Sequence, residues 1–435
     1  MIDPKVKIVH EQFDRIPYPN VPIETSFEDD INFLFKYCIT TPNYRRSQKI
    51  VKAEGKLILD VACGTGLLTL ALAQANPEAK VVGMDISEES IKWARKRLAY
   101  HGYEDVEFHV MQLEELPKLG LSFDFIHCND TLYLLPDPVD GLKVMRSILA
   151  PQGVIQGNLH SIYQRHYYYQ AQRLWKFLGL MDGAPSDIEF SVLREIMSSI
   201  DDQVLLKNLT WHGNPNNTSL SVNYLLQEDK GYTIPEMFQI ISDAGLEFIS
   251  MTNWNQWDVR DLYKDKNNSS EYLDMVLSSA SIEEKLQIYE LLQPVNRLLD
   301  FWCGHVNEVA IVNNPEEWSD TTWQNIQVYL HPKLKHPKIR ESLDQAIALY
   351  APFNIHIFLN VNAAQQISLY ATSCACLHLL WDKPLTVMEL AQKWLKIKPV
   401  NWLTSESITE EQALFEVRRT LIEMESLMLV LLEID

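Results

Sequence analysis

The alternation of apolar and amphipathic segments between residues 57 and 161 constrains the fold of this chain more than any other feature. "KLILDV", "KVVGMDI" and "VEFHV" are typical of buried strands, and "LLTLALAQA" and "EESIKWARKRLAY" between them are typical of helices. "SFDFIHCND" and "GVIQGNLH" predict two more strands on either side of the helix-like "DGLKVMRSILAPQG". This order predicts an α/β fold with a doubly wound, mostly parallel sheet, whose ligand site lies at the carboxyl ends of the strands.

The loop in "LILDVACGTGLL", residues 57–68, indicates which ligand the sheet binds. It lacks the Lys-Ser/Thr pair of a phosphate-binding loop and the full G-x-G-x-x-G spacing, since Ala62 takes the first small position. Asp60 at the strand end would repel a pyrophosphate but attract an ammonium group. Asp85 closes the strand "VVGMD", where a carboxylate can bind ribose hydroxyls. We therefore expect S-adenosylmethionine, which carries an ammonium and a sulfonium but no phosphate.

"DVACGTG", "GMDIS" and "MQLEELP" together resemble the cofactor motifs of class I S-adenosylmethionine-dependent methyltransferases, over about residues 50–160. The resemblance implies a seven-stranded methyltransferase sheet and direct, in-line methyl transfer without a metal. The cofactor-binding residues expected on this basis are Asp60, Ala62, Cys63, Gly64, Thr65, Gly66, Asp85, Ile86, Gln112, Leu113 and Asn129.

The resemblance also implies what these residues do. Asp60 and the backbone of the glycine loop would hold the methionine part of the cofactor, with Asn129 beside it, and Asp85 would hold the ribose. Ile86 would pack against the adenine. Gln112 stands where the family usually has an aspartate that accepts from the adenine amino group, and the glutamine carbonyl can accept the same hydrogen bond. The backbone of Leu113 would donate to the adenine ring.

The acceptor side of the site is less specific. His160 ends a strand at the ligand edge and titrates near neutral pH, so we expect it to be the general base. It opens "HSIYQRHYYYQAQRLWKFLGL", whose aromatic side chains either cage a cationic nitrogen or form the stripe of a core helix. Tyr163 is a further catalytic candidate from this run. Asp130, Tyr133 and Tyr167 are the expected substrate-facing residues.

A second resemblance lies outside the core. "QFDRIPYPNVPIE" and "LLQEDKGYTIPEMFQIISDAGLEFISMTNW" resemble a subgroup of these enzymes with an appended regulatory domain, some of which act on protein lysines. In that subgroup the "PYP" segment helps to cover the cofactor, so Tyr18 is a candidate catalytic or lid residue. The alternative is a proline-stiffened surface turn with one packed aromatic side chain.

These segments divide the chain into three predicted parts. Residues 1–50 form an N-terminal helical lid, residues 51–314 form the methyltransferase domain, and residues 315–435 form a smaller, mainly helical, winged-helix-like domain. Within the methyltransferase domain we expect insertions at about 161–230 and 258–305, with "NEVAIVN" near 307–313 as the last returning strand. Residues 384–435 carry nine acidic and five basic side chains, which favours protein contact, homodimerisation or control of the cleft over DNA binding.

Charge and composition set the partners that we expect. With 58 acidic and 38 basic side chains the formal charge is −20, which disfavours nucleic acid and anionic membranes. The six cysteines fit reduced core thiols and predict no metal site, and the absence of a long apolar run favours a cytoplasmic protein. We therefore expect methyl transfer to an amine of a protein or peptide. The alternatives are O- or N-methylation of a small-molecule acceptor, or a catalytically silent interaction protein.

Overall fold

The computed structural model describes residues 3–213, 215–264, 270–308, 314–360, 367–401 and 404–434. The helices are α1 (Pro4–Arg15), α2 (Ile31–Tyr37), α3 (Thr40–Ser47), α4 (Leu67–Ala75), α5 (Glu88–Tyr100), α6 (Pro138–Ser147), α7 (His166–Phe177), α8 (Asp187–Ser199), α9 (Leu205–Thr210), α10 (Asn217–Asn223), α11 (Ile234–Asp243), α12 (Glu271–Ser279), α13 (Ile282–Leu292), α14 (Asp320–Gln324), α15 (Pro337–Ala348), α16 (Ala371–Leu379), α17 (Val387–Ile397) and α18 (Glu410–Ser426). The strands are β1 (Leu57–Val61), β2 (Lys80–Asp85), β3 (Glu107–Val110), β4 (Phe123–Cys128), β5 (Leu149–Ser161), β6 (Gly231–Tyr232), β7 (Leu246–Met251), β8 (Leu298–His305), β9 (Ile326–Leu330), β10 (Phe353–Asn354), β11 (Ser368–Leu369), β12 (Leu385–Thr386) and β13 (Val430–Ile434).

The central sheet has the strand order β3-β2-β1-β4-β5-β8-β7, and the short β6 pairs with the end of β5. β1 to β5 run parallel, whereas β8 is antiparallel to both β5 and β7. β1 and β4 are buried along most of their length, as expected for parallel strands covered by helices on both faces. The predicted doubly wound, mostly parallel sheet of seven strands is confirmed.

The sheet's last hairpin lies elsewhere than expected. The antiparallel partner of β7 is β8, Leu298–His305, which the sequence analysis placed in a helical insertion. The helix α13 ends at Leu292, two residues before Pro294, and the apolar run that follows pairs with β5. Residues 309–313 of the expected returning strand lie outside the described residues. The sequence assignment was wrong because a short apolar run after a helix has no periodicity that separates strand from helix.

The segment between β5 and β6 forms a helical unit with its own core. α7 to α10 enclose a buried cluster that includes Trp175, Phe190 and Tyr224. Gln12 of α1 reaches this unit, because its amide donates to Ser221 and Leu225 and accepts from the backbone N–H of Gln227. This buried glutamine therefore fastens the N-terminal helix to the insertion.

The C-terminal region has a three-stranded antiparallel sheet in the order β12-β9-β13, packed against helices that include α16, α17 and α18. Its central strand, β9, precedes these helices in the chain. Three residues from α2 and α3 belong to the same buried core, Ile31, Phe35 and Tyr44. The winged-helix assignment, the domain boundaries and a homodimer through this region stay predictions.

The six cysteines are all buried and none forms a disulfide, as expected. Within the described parts of the chain, none of the helices combines the length and the apolar character needed to cross a membrane.

Tyr44 provides the most specific polar link between α3 and the C-terminal region. Its hydroxyl donates to Glu425 at 3.0 Å and accepts from the backbone N–H of Leu432 at 2.8 Å. We predict that Tyr44→Phe lowers the free energy of unfolding by about 1–3 kcal/mol, because it leaves buried polar groups without a partner. Equilibrium urea denaturation followed by tryptophan fluorescence measures this loss. Tyr100→Phe, at a tyrosine that is 59% exposed, is the control, and equal stability of the two variants would contradict the assignment.

Candidate functional site

A cavity of about 460 Å³ opens at the carboxyl ends of β1 to β4, where a doubly wound sheet binds its ligands. We call it the cofactor cavity. The predicted residues that line it are Tyr18, Asp60, Ala62, Cys63, Gly64, Asp85, Ile86, Gln112, Leu113, Asn129 and Asp130. The structure therefore brings together residues that lie more than 100 positions apart.

Asp60 lies at the end of β1 and is almost fully buried. One carboxylate oxygen accepts from Nδ1 of His127 at 2.8 Å, and the other accepts from the Thr69 hydroxyl at 2.6 Å. A carboxylate offers about four acceptor positions, so Asp60 can bind a ligand ammonium in addition to these two partners.

Asp85, at the end of β2, fixes the glycine loop. Its two oxygens accept from the backbone N–H groups of Gly64, at 2.9 Å, and Ser87, at 2.8 Å. Burial raises the pKa of this carboxyl group, and the two backbone hydrogen bonds oppose that rise. Asp85 lines the cavity and can accept hydrogen bonds from ligand hydroxyls.

Thr65 and Gly66 do not line the cavity but shape the loop. The backbone N–H of Thr65 donates to the carbonyl of Tyr18 at 3.1 Å, and the Thr65 hydroxyl donates to the carbonyl of Pro19 at 2.8 Å. Gly66 begins α4 with a positive φ of 79°, and a Cβ there would collide with Ala94 of α5. Both residues act on the ligand through the loop and the N-terminal segment.

The N-terminal segment contributes side chains to the cavity lining, and its role as a lid stays a prediction. Val6, Val9 and Phe13 of α1 line the cavity together with His10. Asp14 accepts a hydrogen bond from the Ser87 hydroxyl, next to Asp85, so α1 is attached directly above the second strand end. Tyr18 lines the same wall, and burial raises the pKa of its phenol, with a further contribution from Asp130.

An aromatic wall was not foreseen. This wall consists of Phe27, Phe33 and Tyr37, which all line the cavity. The rings of Phe27 and Phe33 are stacked with their centroids 4.1 Å apart, and the centroids of Phe33 and Tyr37 are 4.6 Å apart. Burial raises the pKa of Tyr37 well above its usual value, reinforced by surrounding aspartates. α2 shows apolar periodicity in the sequence, but that pattern could not reveal that one face of the helix meets a ligand cavity.

The turn after β4 is held by residues that the sequence analysis missed. Asn158 of β5 is fully buried, and its amide donates to Asn129, at 2.5 Å, and to Asp300, at 3.1 Å. Its carbonyl oxygen accepts from the backbone N–H of Asp130, which has a positive φ of 51°. Lys36 of α2 completes the group by pairing with Asp300 at 3.3 Å. The only sequence signal was that Asn158 and Asp300 are polar residues in apolar strands.

His160 is placed where it cannot easily act as the predicted general base. It is fully buried, is absent from the cavity lining and stacks on Tyr133 with the ring centroids 3.6 Å apart. Its Nδ1 donates to Asp229 at 2.7 Å, and its Nε2 accepts from Arg297 at 3.0 Å. Burial lowers the pKa of His160 to about 4. The ring is therefore neutral at pH 7, and its lone pair is already occupied.

Arg297 links His160 to the cavity, because its other terminal nitrogen lies 3.3 Å from Asp130. The Tyr133 hydroxyl donates to the same carboxylate at 3.1 Å, so Tyr133 reaches the ligand side through Asp130. Tyr163, which is 43% exposed, and Tyr167 lie outside the cavity lining, and the predicted roles of these two tyrosines receive no support from the geometry.

The charge of the cavity agrees with the expected cofactor. Its described lining includes four carboxylates, those of Asp60, Asp85, Glu114 and Asp130, and neither lysine nor arginine. A lining of this charge repels a pyrophosphate and attracts an ammonium or a sulfonium group.

Comparison with known proteins agrees with this site. Residues 52–178 match the family model described as Methyltransferase domain. The chain carries an S-adenosylmethionine-dependent methyltransferase domain. An uncharacterized protein of Synechococcus sp. is 26% identical over 70% of this chain and 73% of its own length. The demethylmenaquinone methyltransferase of Geobacillus stearothermophilus is 34% identical over 27% of this chain, and the match spans 53% of that enzyme.

Among solved structures, PKMT2 from Rickettsia typhi in complex with AdoHcy matches 96% of this chain and 77% of its own, with a TM-score of 0.59 at 13% identity. At this identity the match shows the fold alone. It extends beyond the methyltransferase domain into the C-terminal region.

Gly64 offers a direct test of the contact between loop and lid. At its positive φ of 52°, a Cβ would collide with the Tyr18 carbonyl, whereas Gly55, at a φ of 70°, has no atom within 4 Å of a Cβ. We predict that Gly64→Ala weakens S-adenosylhomocysteine binding at least 10-fold, because the Tyr18 segment must move. Gly55→Ala carries only the backbone strain of about 1–2 kcal/mol. Isothermal titration compares the two, and equal affinities would contradict the prediction.

The low pKa of His160 predicts a pH effect on stability. The unfolded chain binds a proton near pH 6.5 that the folded chain takes up only near pH 4, so stability is lost as pH falls through this window. We expect His160→Asn to flatten the fall in unfolding free energy between pH 6.5 and 4 by up to about 1.4 kcal/mol per pH unit. Urea denaturation at several pH values measures this slope of the unfolding free energy against pH. His166→Asn, at an exposed histidine of α7, is the control, and an identical slope in both variants would refute the assignment.

Proposed function

We propose that this protein transfers a methyl group from S-adenosylmethionine to an amine nitrogen of a protein or peptide. The observation that carries the proposal is the charge of the cofactor cavity, whose described lining has four carboxylates and no lysine or arginine. The cofactor is itself cationic, but Asp130 lies near Tyr18 and Arg297 on the turn after β4, and none of the cofactor roles is assigned to it. A carboxylate there favours an acceptor that brings a positive charge.

S-adenosylmethionine supplies an electrophilic methyl group on a sulfonium when it is bound. The residues that would hold it are Asp60 and the glycine-loop backbone for the ammonium end, Asp85 for the ribose, and Ile86 with Gln112 for the adenine. α1 and Tyr18 line one side of the cavity, where exclusion of water by the bound cofactor would strengthen each of these electrostatic contacts. Alignment of donor and acceptor in a dry site accounts for most of the rate enhancement.

Asp130 replaces His160 as the residue that meets the acceptor. Its carboxylate lines the cavity, while Tyr133 and Arg297 hold it from behind. From that position it would accept a hydrogen bond from an N–H of the incoming ammonium group. The ammonium must lose one proton before its nitrogen has a lone pair for the methyl group, and Asp130 can take up that proton and pass it to solvent. The aromatic wall of Phe33 and Tyr37 favours a cationic nitrogen nearby.

One observation favours a small-molecule acceptor as the second candidate. Part of the cavity wall is apolar and suits an aromatic hydroxyl compound. This part consists of Val6, Val9, Phe13, Leu134 and Leu135. Similar enzymes include the ubiquinone biosynthesis O-methyltransferase of Neisseria meningitidis, which is 31% identical over 23% of this chain and 43% of its own length. A silent interaction protein is less well supported, because the cofactor residues form a complete cavity.

A methyl-transfer assay separates these candidates. We expect isotopically labelled methyl from S-adenosylmethionine to enter lysine-containing peptides rather than hydroxylated arenes. Asp130→Asn should lower kcat/KM for the peptides about 10- to 100-fold, the cost of a hydrogen bond to a charged group, and change S-adenosylhomocysteine affinity less than 3-fold. Asp182→Asn, at an exposed aspartate outside the cavity, is the control.

The other outcomes of this assay identify the alternatives. Labelling of hydroxylated arenes alone would replace the proposal with small-molecule O-methylation. S-adenosylhomocysteine binding without transfer to either class would favour the silent interaction protein.

A further inference from the structure

A second cavity, of about 340 Å³, lies where the edge of the sheet meets the helices α3, α12 and α13. We call it the junction pocket. Its charged lining residues and tryptophans are Arg45, Trp254, Trp257, Asp258, Arg260 and Lys285. It shares none of them with the cofactor cavity.

The junction pocket is cationic although the chain carries a formal charge of −20. Arg45, Arg260 and Lys285 contribute three positive charges to its lining, against the single carboxylate of Asp258. That carboxylate already accepts the backbone N–H of Arg260 at 2.9 Å, where it caps a short helical turn. This is the reverse of the cofactor cavity, whose described lining is acidic. The two cavities therefore select ligands of opposite charge.

Arg45 is the residue that most clearly lacks a partner. Its guanidinium lies 5.0 Å from the centroid of the Trp254 ring, and its Nε is buried without a hydrogen-bond partner. Among the residues that the structure describes, no carboxylate lies within 4 Å of it, and the nearby Glu425 accepts the Tyr44 hydroxyl instead. Arginine keeps its proton at neutral pH, so the positive charge of Arg45, which Glu425 offsets only from beyond ion-pair distance, faces this pocket.

The neighbours of Arg45 on α3 show that its lack of a partner is not a property of the helix. Tyr44 binds Glu425 and Leu432 of the C-terminal region. Arg46 donates to the carbonyls of Gly153, at 2.9 Å, and Gln152. The Nε of Arg46 is also buried without a partner, but its terminal nitrogens are hydrogen-bonded, whereas no described residue accepts a hydrogen bond from those of Arg45. A half-buried arginine of this kind is costly unless a ligand supplies the missing acceptors.

The rest of the lining is apolar and aromatic. Trp254 and Trp257 flank the pocket, and Trp254 also donates from Nε1 to the carbonyl of Ser426 at 3.4 Å. Leu277, Ile282 and Leu286 form the wall opposite β7. An anion with an aromatic or apolar body would pair its charge with Arg45 and Lys285 and place its body against the indole rings.

We propose that the junction pocket is a second ligand site, which binds an amphipathic anion: an aromatic or apolar body that carries one carboxylate, phosphate or sulfonate group. Its walls belong to the methyltransferase sheet, to α12 and α13, and to the helix α3 that enters the C-terminal core. A ligand in the junction pocket contacts all three of these parts. It does so outside the cofactor cavity and independently of the methyl acceptor.

The test uses 8-anilinonaphthalene-1-sulfonate, an aromatic sulfonate that fluoresces when bound, and the full-length chain saturated with S-adenosylhomocysteine to block the cofactor cavity. We expect one binding site per chain. Arg45→Met keeps an unbranched apolar stem and removes the charge, and should weaken binding at least 10-fold. Lys285→Glu on the rim should weaken it similarly. Arg173→Met, at an exposed arginine of α7, is the matched control and should bind as the parent chain does.

The thermal unfolding midpoint of each variant shows whether it is folded. If Arg45→Met does not fold, Lys285→Glu decides the outcome, because its side chain is only partly buried and has no ion pair in the described chain. Benzoate and phenyl phosphate as competitors then show whether a carboxylate or a phosphate displaces the sulfonate. No binding to the saturated chain, or equal binding by the parent chain and both pocket variants, would overturn the proposal.

Discussion

The buried carboxylate of Asp60 is the constraint on which the rest of the site depends. A negative charge that is almost inaccessible to water must be compensated by fixed partners. The register of the sheet places His127 of β4 directly beside Asp60 of β1, and α4 brings Thr69 to the second oxygen. β1, β4 and α4 are thereby held together at Asp60, and the glycine loop begins next to this residue. The cofactor cavity opens at that point, where Ala62, Cys63 and Gly64 line it directly after β1.

The N-terminal 50 residues turn this strand edge into an enclosed site and join it to the rest of the molecule. The loop binds the Tyr18 and Pro19 carbonyls through Thr65, while α1 lies over the cavity. α2 has two functional faces: Phe33 and Tyr37 line the cavity, and Ile31 and Phe35 enter the core of the C-terminal region. A shift of the C-terminal region would therefore move a wall of the cofactor cavity, because one seven-residue helix belongs to both.

The sequence predicted those parts of the structure that depend on neighbouring residues. β1 to β5 and the glycine loop follow from local periodicity, and the strand-end carboxylates follow from their positions in it. β8 was wrong because a short apolar run becomes a strand only through its pairing with β5 and β7. Asn158, Asp300 and Arg297 were missed for a related reason. Each is unremarkable in its own segment and acquires a role only when the fold brings it to Asn129 and Asp130.

His160 shows why a residue type is a weaker guide to catalysis than its surroundings. Its ordinary pKa made it the expected base, but burial between Asp229 and Arg297 lowers that pKa to about 4 and occupies both ring nitrogens. Burial favours a protonated Asp229, yet its hydrogen bond from His160 and its ion pair with Arg165 keep the pKa of its carboxyl group low. The negative charge of Asp229 fixes the ring tautomer, and the ring's lone pair then fixes the guanidinium of Arg297. The guanidinium bound in this way lies 3.3 Å from the carboxylate of Asp130, so the histidine is connected to the cofactor cavity only through Arg297 and Asp130 among these residues.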